Sequence, residues 1–132
     1  MSTGQCITTT GRKIANHRTF MSSPDLTAPE WFEVGTGTNT PAISDTTLQT
    51  PISIGGGASK AVVSGYPVFD DVNNQTTQRS LLLTTDCNGN TITEYGLVNN
   101  DGTPLLFSRA VFTGIVKTTS VQVIIVEKDV VS

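Results

Sequence analysis

Apolar and polar residues alternate along most of this chain, a period of two that predicts β-strands. The clearest stretch is NTITEYGLVNNDGTPLLFSRAVFTGIVKTTSVQVIIVEK, residues 90–128. β-Branched and aromatic residues dominate 91–98, 105–113 and 120–126, while Asn99-Asn100-Asp101-Gly102 supplies the positive-φ tolerance of a tight hairpin and Gly114 marks a further break. These signals predict a meander of three consecutive strands. Upstream, Trp31–Gly35 places Phe32 and Val34 on one face and Trp31 and Glu33 on the other. Residues 60–64, 66–69 and 77–85 read as further strands, separated by the turn-prone DDVNNQ and DCNGN segments, and Asn88-Gly89 is a strong hairpin signal.

The first 29 residues are less regular. A short strand over 7–10 runs into GRKIANHRTF, where a weak alternation sets Lys13, Ala15 and His17 against Ile14, Asn16 and Arg18. Pro24 and Pro29 make the next segment an irregular connector. Residues 38–51 read as a long surface loop and Gly55-Gly56-Gly57 as a loop tip. Turn signals recur roughly every 13 to 15 residues, the spacing of a sandwich or barrel of about seven to nine strands. The expected fold is therefore all-β: a single antiparallel β-sandwich, or partly open barrel, over 30–132, preceded by an extended basic N-terminal arm and connector over 1–29.

Along the last strand Val121, Val123 and Ile125 alternate with Gln122, Ile124 and Val126, so both faces are mostly apolar. A small sandwich exposes the outer face of each sheet, and an apolar outer face asks for cover from another subunit. Val121, Val123, Ile124, Ile125 and Val126 are accordingly the expected oligomer interface.

Composition sharpens this picture. Only 14 % of the 132 residues are charged and threonine occurs 22 times, so hydroxyls and amides build the polar surface and helix formers are sparse. The net charge is −3, but Arg12, Lys13 and Arg18 lie in the first twenty residues, which contain no acid. These three cations are the expected contacts with an acidic protein partner. They are too few, on an acidic body, to favour nucleic acid. Two cysteines and the sole histidine, His17, cannot build a tetrahedral zinc site, and Cys6 and Cys87 read as free, partly buried thiols, with a disulfide between them as the alternative. No signal-peptide core and no membrane-length apolar run appears, which implies synthesis in a cytoplasm and no membrane contact.

Catalytic patterns are missing from the sequence. His17 has no evident orienting partner, no G-x-S-x-G elbow occurs, and the glycine-rich GTGT and IGGGASK segments open no helix, as a phosphate loop would require. Glycoside hydrolysis needs two carboxylates at a set separation. The candidate carboxylates are Glu30 with Glu33, Asp70 with Asp71, and Glu94; Asp70 and Asp71 read as a solvated turn, and Glu94, mid-strand, reads as a structural ion pair with Arg109 that fixes register. No enzyme activity, cofactor or metal is expected.

Two blocks carry a resemblance: WFEVGTGTNTPAISDTTLQTPI, residues 31–52, and ITEYGLVNNDGTPLLFSRAVFTGIVKTTSVQVIIVEK, residues 92–128. They resemble small virion proteins of tailed bacteriophages, labelled tail-fibre-like or phage structural protein, with V-G-T-G-T-x-x-P-x-x-x-D-T-x-L followed by I-T-E-x-G-L-F-N-x-D-G-x-x-L-x-x-R-x-V-F. Val98 stands where Phe is usual. The resemblance implies a β-sandwich subunit of the particle, a homo-oligomer, by analogy a trimer, bound to capsid or tail proteins, with no catalytic residues. The alternative is a carbohydrate- or receptor-binding module of the adsorption apparatus, which would need Trp31, Tyr66 or Tyr95 exposed on a concave face.

Overall fold

The computed structural model of the protein describes residues 2–55, 57–101 and 103–130. Among the described residues nine strands and one helix follow the order β1 (Ser2–Ile7), α1 (Thr9–Phe20), β2 (Trp31–Gly35), β3 (Pro51–Ile52), β4 (Lys60–Ala61), β5 (Val68–Asp70), β6 (Gln75–Leu82), β7 (Thr91–Val98), β8 (Leu106–Val116) and β9 (Val123–Asp129). They form two open antiparallel sheets: a larger one in the order β1-β8-β7-β2-β3, with β4 also on β2, and a smaller one, β5-β6-β9. The domain is an all-β sandwich, as its alternation requires.

The core lies between the sheets. Phe32 and Val34 of β2, Ile92, Tyr95 and Leu97 of β7, Phe107 of β8, Leu82 of β6 and Val123 of β9 are buried in one cluster. Phe32 and Tyr95 stack with centroids 5.9 Å apart. Ile92 and Tyr95, three residues apart, reach the same core because the β7–β8 register shifts between Ile92 and Glu94. A second, smaller cluster of Leu48, Val98 and Leu106 includes the long loop after β2 and packs against Trp31.

Several expectations are corrected. The segment read as a weak strand is α1. Thr8 caps it, its Oγ1 accepting from the Gly11 amide at 2.9 Å, and His17 and Arg18 in the last turn complement the dipole. Its amphipathicity is faint, since Gly11 and Ile14 alone are buried along it. The first twenty residues are therefore not an extended arm: β1 pairs with β8, and α1 packs on β8 through Ile14 and through Gly11, whose missing Cβ lets it close on the Phe107 backbone. The three C-terminal strands are not a meander, because β9 crosses to the other sheet and pairs with β6. The turn at Asn88-Gly89 likewise carries the chain from one sheet to the other, and the buried Lys117 holds it, its Nζ donating to Asn88 Oδ1 at 2.9 Å. Gly114 lies inside β8 beside a register shift; a Cβ there would meet Thr91 Cγ2 at 2.5 Å. Gly56 of the loop tip and Gly102 of the β7–β8 turn lie outside the described residues.

Candidate functional site

Three features stand out: a buried charge centre under the long loop, a polar seam between the sheets, and two exposed surfaces.

Glu94 is the charge centre, with no exposure. Its Oε2 accepts from the Gly37 and Thr50 amides at 2.8 and 2.7 Å, and its Oε1 from the Gln49 amide at 2.9 Å and from Arg109 Nε at 3.0 Å. Arg109 Nη1 continues to Asp45 Oδ2 at 3.1 Å, and Asp45 Oδ2 also accepts from the Ala42 amide. One carboxylate thus gathers both ends of the loop and a guanidinium from the next strand. Glycine is required around it: a Cβ on Gly35 or Gly37 would lie 2.5 Å from Glu94 Oε2, and one on Gly96 would lie 2.8 Å from Leu48 Cδ2. Residues from both blocks that carry the resemblance, Gly35, Gly37, Asp45 and Leu48 from one and Glu94, Gly96 and Arg109 from the other, converge here. The sequence named the Glu94–Arg109 pair but not Asp45, which lies in a loop whose path the alternation does not predict.

The polar seam ties sheet to sheet. Ser80 of β6 meets Tyr95 Oη of β7 at 2.9 Å, Ser108 of β8 donates to Glu127 of β9, and Gln5 of β1 donates to Asp129 of β9 at 3.0 Å. Glu127 and Asp129 are both buried, and Glu127 Oε2 has no partner among the described residues. Burial first, and then the neighbouring Asp129 carboxyl, push the Glu127 carboxyl well above its ordinary value, against the Ser108 hydrogen bond. Burial and the charge of Glu127 likewise raise the Tyr95 phenol. This carboxyl pair was missed in the sequence, although the signal was there: Glu127 and Asp129 continue the inward face that Val123 and Ile125 begin.

The remaining named residues scatter. Asp70 is half-buried and Asp71 exposed, next to the β5–β6 turn, where the Asn73 side chain and then its backbone amide hold the Asp70 carboxyl below its ordinary range. Glu30 is exposed; the half-buried Glu33 carboxyl is raised by burial. His17 Nδ1 lies 2.7 Å from Asp25 Oδ1, which lowers the Asp25 carboxyl. Asp86 is raised by its burial but lowered further by Lys60, 2.8 Å away, and by the Leu83 amide, so the net shift is down. Cys6 and Cys87 are free thiols, both raised chiefly by burial. No group of three metal-ligating side chains occurs among the described residues, and no described helix is long and apolar enough to cross a membrane.

Two surfaces are exposed. Arg12, Lys13 and Arg18 all point outward from α1, Arg18 Nη1 donating to Leu26 O at 3.0 Å. On the outer face of the small sheet Ile124 and Val126 are about half exposed, with Leu81 and Arg79 opposite them on β6 and Val68 on β5. The expected interface is narrowed here: Val123 belongs to the protein's own core and Val121 and Ile125 pack against it, so only Ile124 and Val126 of the five face outward. Among the aromatics, Tyr95 is fully buried, while the half-buried Trp31 lines a shallow depression with Lys60 and Asp86.

No protein-family model matches the chain, and neither a curated protein nor a solved structure matches it.

Proposed function

We propose that this protein is a non-enzymatic structural subunit of a tailed-phage virion, a homo-oligomer on the particle surface, as capsid decoration or as a tail or baseplate accessory. The observation that carries the assembly part is the apolar outer face of the small sheet, with Ile124 and Val126 about half exposed on β9, an edge strand whose outer side no other strand covers among the described residues. The virion part rests on the resemblance, and the convergence of its two blocks on Glu94 gives the shared residues a common physical reason. A trimer is the expected order, by analogy with the family. The cations on α1 suit an acidic partner protein in the particle, not nucleic acid or membrane.

Particles purified with a tag at Ser132 and imaged by negative stain test this reading. Label over the shell supports decoration, label at the tail supports the accessory role, and a protein absent from particles overturns both. A second reading, a carbohydrate- or receptor-binding module, is favoured by the Trp31 depression with its Lys60–Asp86 pair. A glycan array with no binder, or unchanged binding by Trp31→Ala, removes it.

A further inference from the structure

A cleft of about 310 Å³ opens beside the connector that precedes β2 and beside β5 of the small sheet. Its buried lining includes Leu97 and Phe107, and its exposed lining includes Phe69, 68 % accessible on a three-residue strand. The polar groups are unevenly matched. Gln78, 3 % exposed, donates from Nε2 to Pro29 O at 3.0 Å, which fixes the other amide atom as the oxygen, and that Oε1 has no partner among the described residues. Asp129, 7 % exposed, also lines the cleft, its Oδ1 already accepting from Gln5 Nε2 at 3.0 Å. Glu30 and Arg18 are the other charged lining residues, and Arg18 is already engaged with Leu26 O.

The cleft therefore offers acceptors in excess of donors, two carboxyl groups against one guanidinium, and an aromatic face open to solvent. An anion would meet Asp129 and Glu30. A neutral apolar group would leave the Gln78 oxygen unpaired. A flat cation with several N–H donors satisfies the acceptors and stacks on Phe69, and at this volume a single planar head on an apolar stem fits. We propose that the cleft is a binding site for a guanidinium or amidinium group on an apolar stem, the group that an arginine side chain of another polypeptide presents. This stands apart from the assembly reading, since none of its residues lies on the outer face of β9.

Titration of the isotope-labelled full chain with benzamidine and with N-acetyl-arginine amide, followed by nuclear magnetic resonance, tests it, with benzyl alcohol and benzoate as controls. Both cations are expected to give saturable shifts at Gln78, Phe69 and Leu97, weakened about tenfold or more by Gln78→Met and by Asp129→Asn. Phe69→Ala, on the exposed side where folding is not at stake, is expected to weaken both as well. Absence of saturable shifts with both cations, equal binding of benzyl alcohol, or binding indifferent to Gln78→Met and Phe69→Ala overturns the site. Binding of benzamidine without N-acetyl-arginine amide overturns the arginine assignment and points to a free small amidine.

Discussion

Removing the Glu94 carboxylate takes the acceptor from three backbone amides, the buried one of Gly37 and the partly buried ones of Gln49 and Thr50, and from a guanidinium at once, whereas removing Arg109 leaves the three amides satisfied. Glu94→Ala, which removes both oxygens, is therefore expected to cost about 3–5 kcal/mol, the range for breaking a buried pair, and Arg109→Leu, which leaves Glu94 its amide donors, toward the lower end of it. Urea unfolding of the two variants checks the order; equal losses would contradict it. Gly37→Ala should cost about 1–3 kcal/mol in the same assay, because the new methyl must displace Glu94 or the Gln49 side chain. Glu127 works in the opposite sense. Its folded pKa lies above its ordinary 4.5, so below that value both states are protonated and its stability is fully present. As pH rises past 4.5 the unfolded chain releases the proton first, and stability falls until the folded pKa is passed. Asp86, held below its ordinary 3.8, adds stability above that value that is lost as pH falls through its folded pKa. Thermal melts should thus show greatest stability in the mildly acid range. Glu127→Gln should flatten the decline toward alkaline pH and gain about 1–3 kcal/mol at pH 8, where burying an imperfectly paired charge is most costly. An unchanged slope in that variant would assign the decline to other groups.

At the scale of elements, the N-cap of α1 separates two roles of one side chain. Thr8 Oγ1 accepts from the Gly11 amide and donates to Leu106 O at 2.6 Å, so it both starts the helix and fastens it to β8. Thr8→Ala is expected to lower stability by about 1–2 kcal/mol and Thr8→Ser by little, read from melting curves. A comparable loss in both would shift the effect from the hydroxyl to the packing of the methyl. That helix was hidden in the sequence because its buried side reduces to Gly11 and Ile14, too few positions to imprint a 3.6-residue period. The extent of some strands was legible: the bounds of β2 and β7 coincide with the runs rich in β-branched and aromatic residues. Partnership between strands was not. Turn residues at Asn88-Gly89 set the local backbone, with Gly89 at φ 85°, but the same turn chemistry serves a hairpin or a crossing between sheets. Side chains reaching across the core, such as Lys117 and the Ser108–Glu127 pair, accompany those crossings. Asp45 in the charge centre was illegible for the same reason: a loop carries no period.

For the whole molecule, the two exposed surfaces lie on different elements, α1 and the small sheet, and so can be tested independently. Ile124 and Val126 are already half in water, and substitution there should alter the monomer's stability by no more than about 0.5 kcal/mol. Their loss to a copy of the chain would instead appear in association. Ile124→Lys with Val126→Lys places two cations opposite Leu81 and Arg79 on β6, so the face becomes both polar and self-repelling. Sedimentation velocity over a range of concentrations should show the parent chain associating and this double variant remaining a single molecule with an unchanged melting temperature. Arg12→Glu with Lys13→Glu should leave self-association intact, since α1 has no part in the apolar face, and should weaken attachment to particles with a salt dependence that the parent shows and the variant lacks. If the lysine pair leaves association unchanged, the apolar face is not the self-contact and the cover for β9 comes from a different protein. If the glutamate pair leaves attachment unchanged, the cations on α1 serve only to solvate the helix.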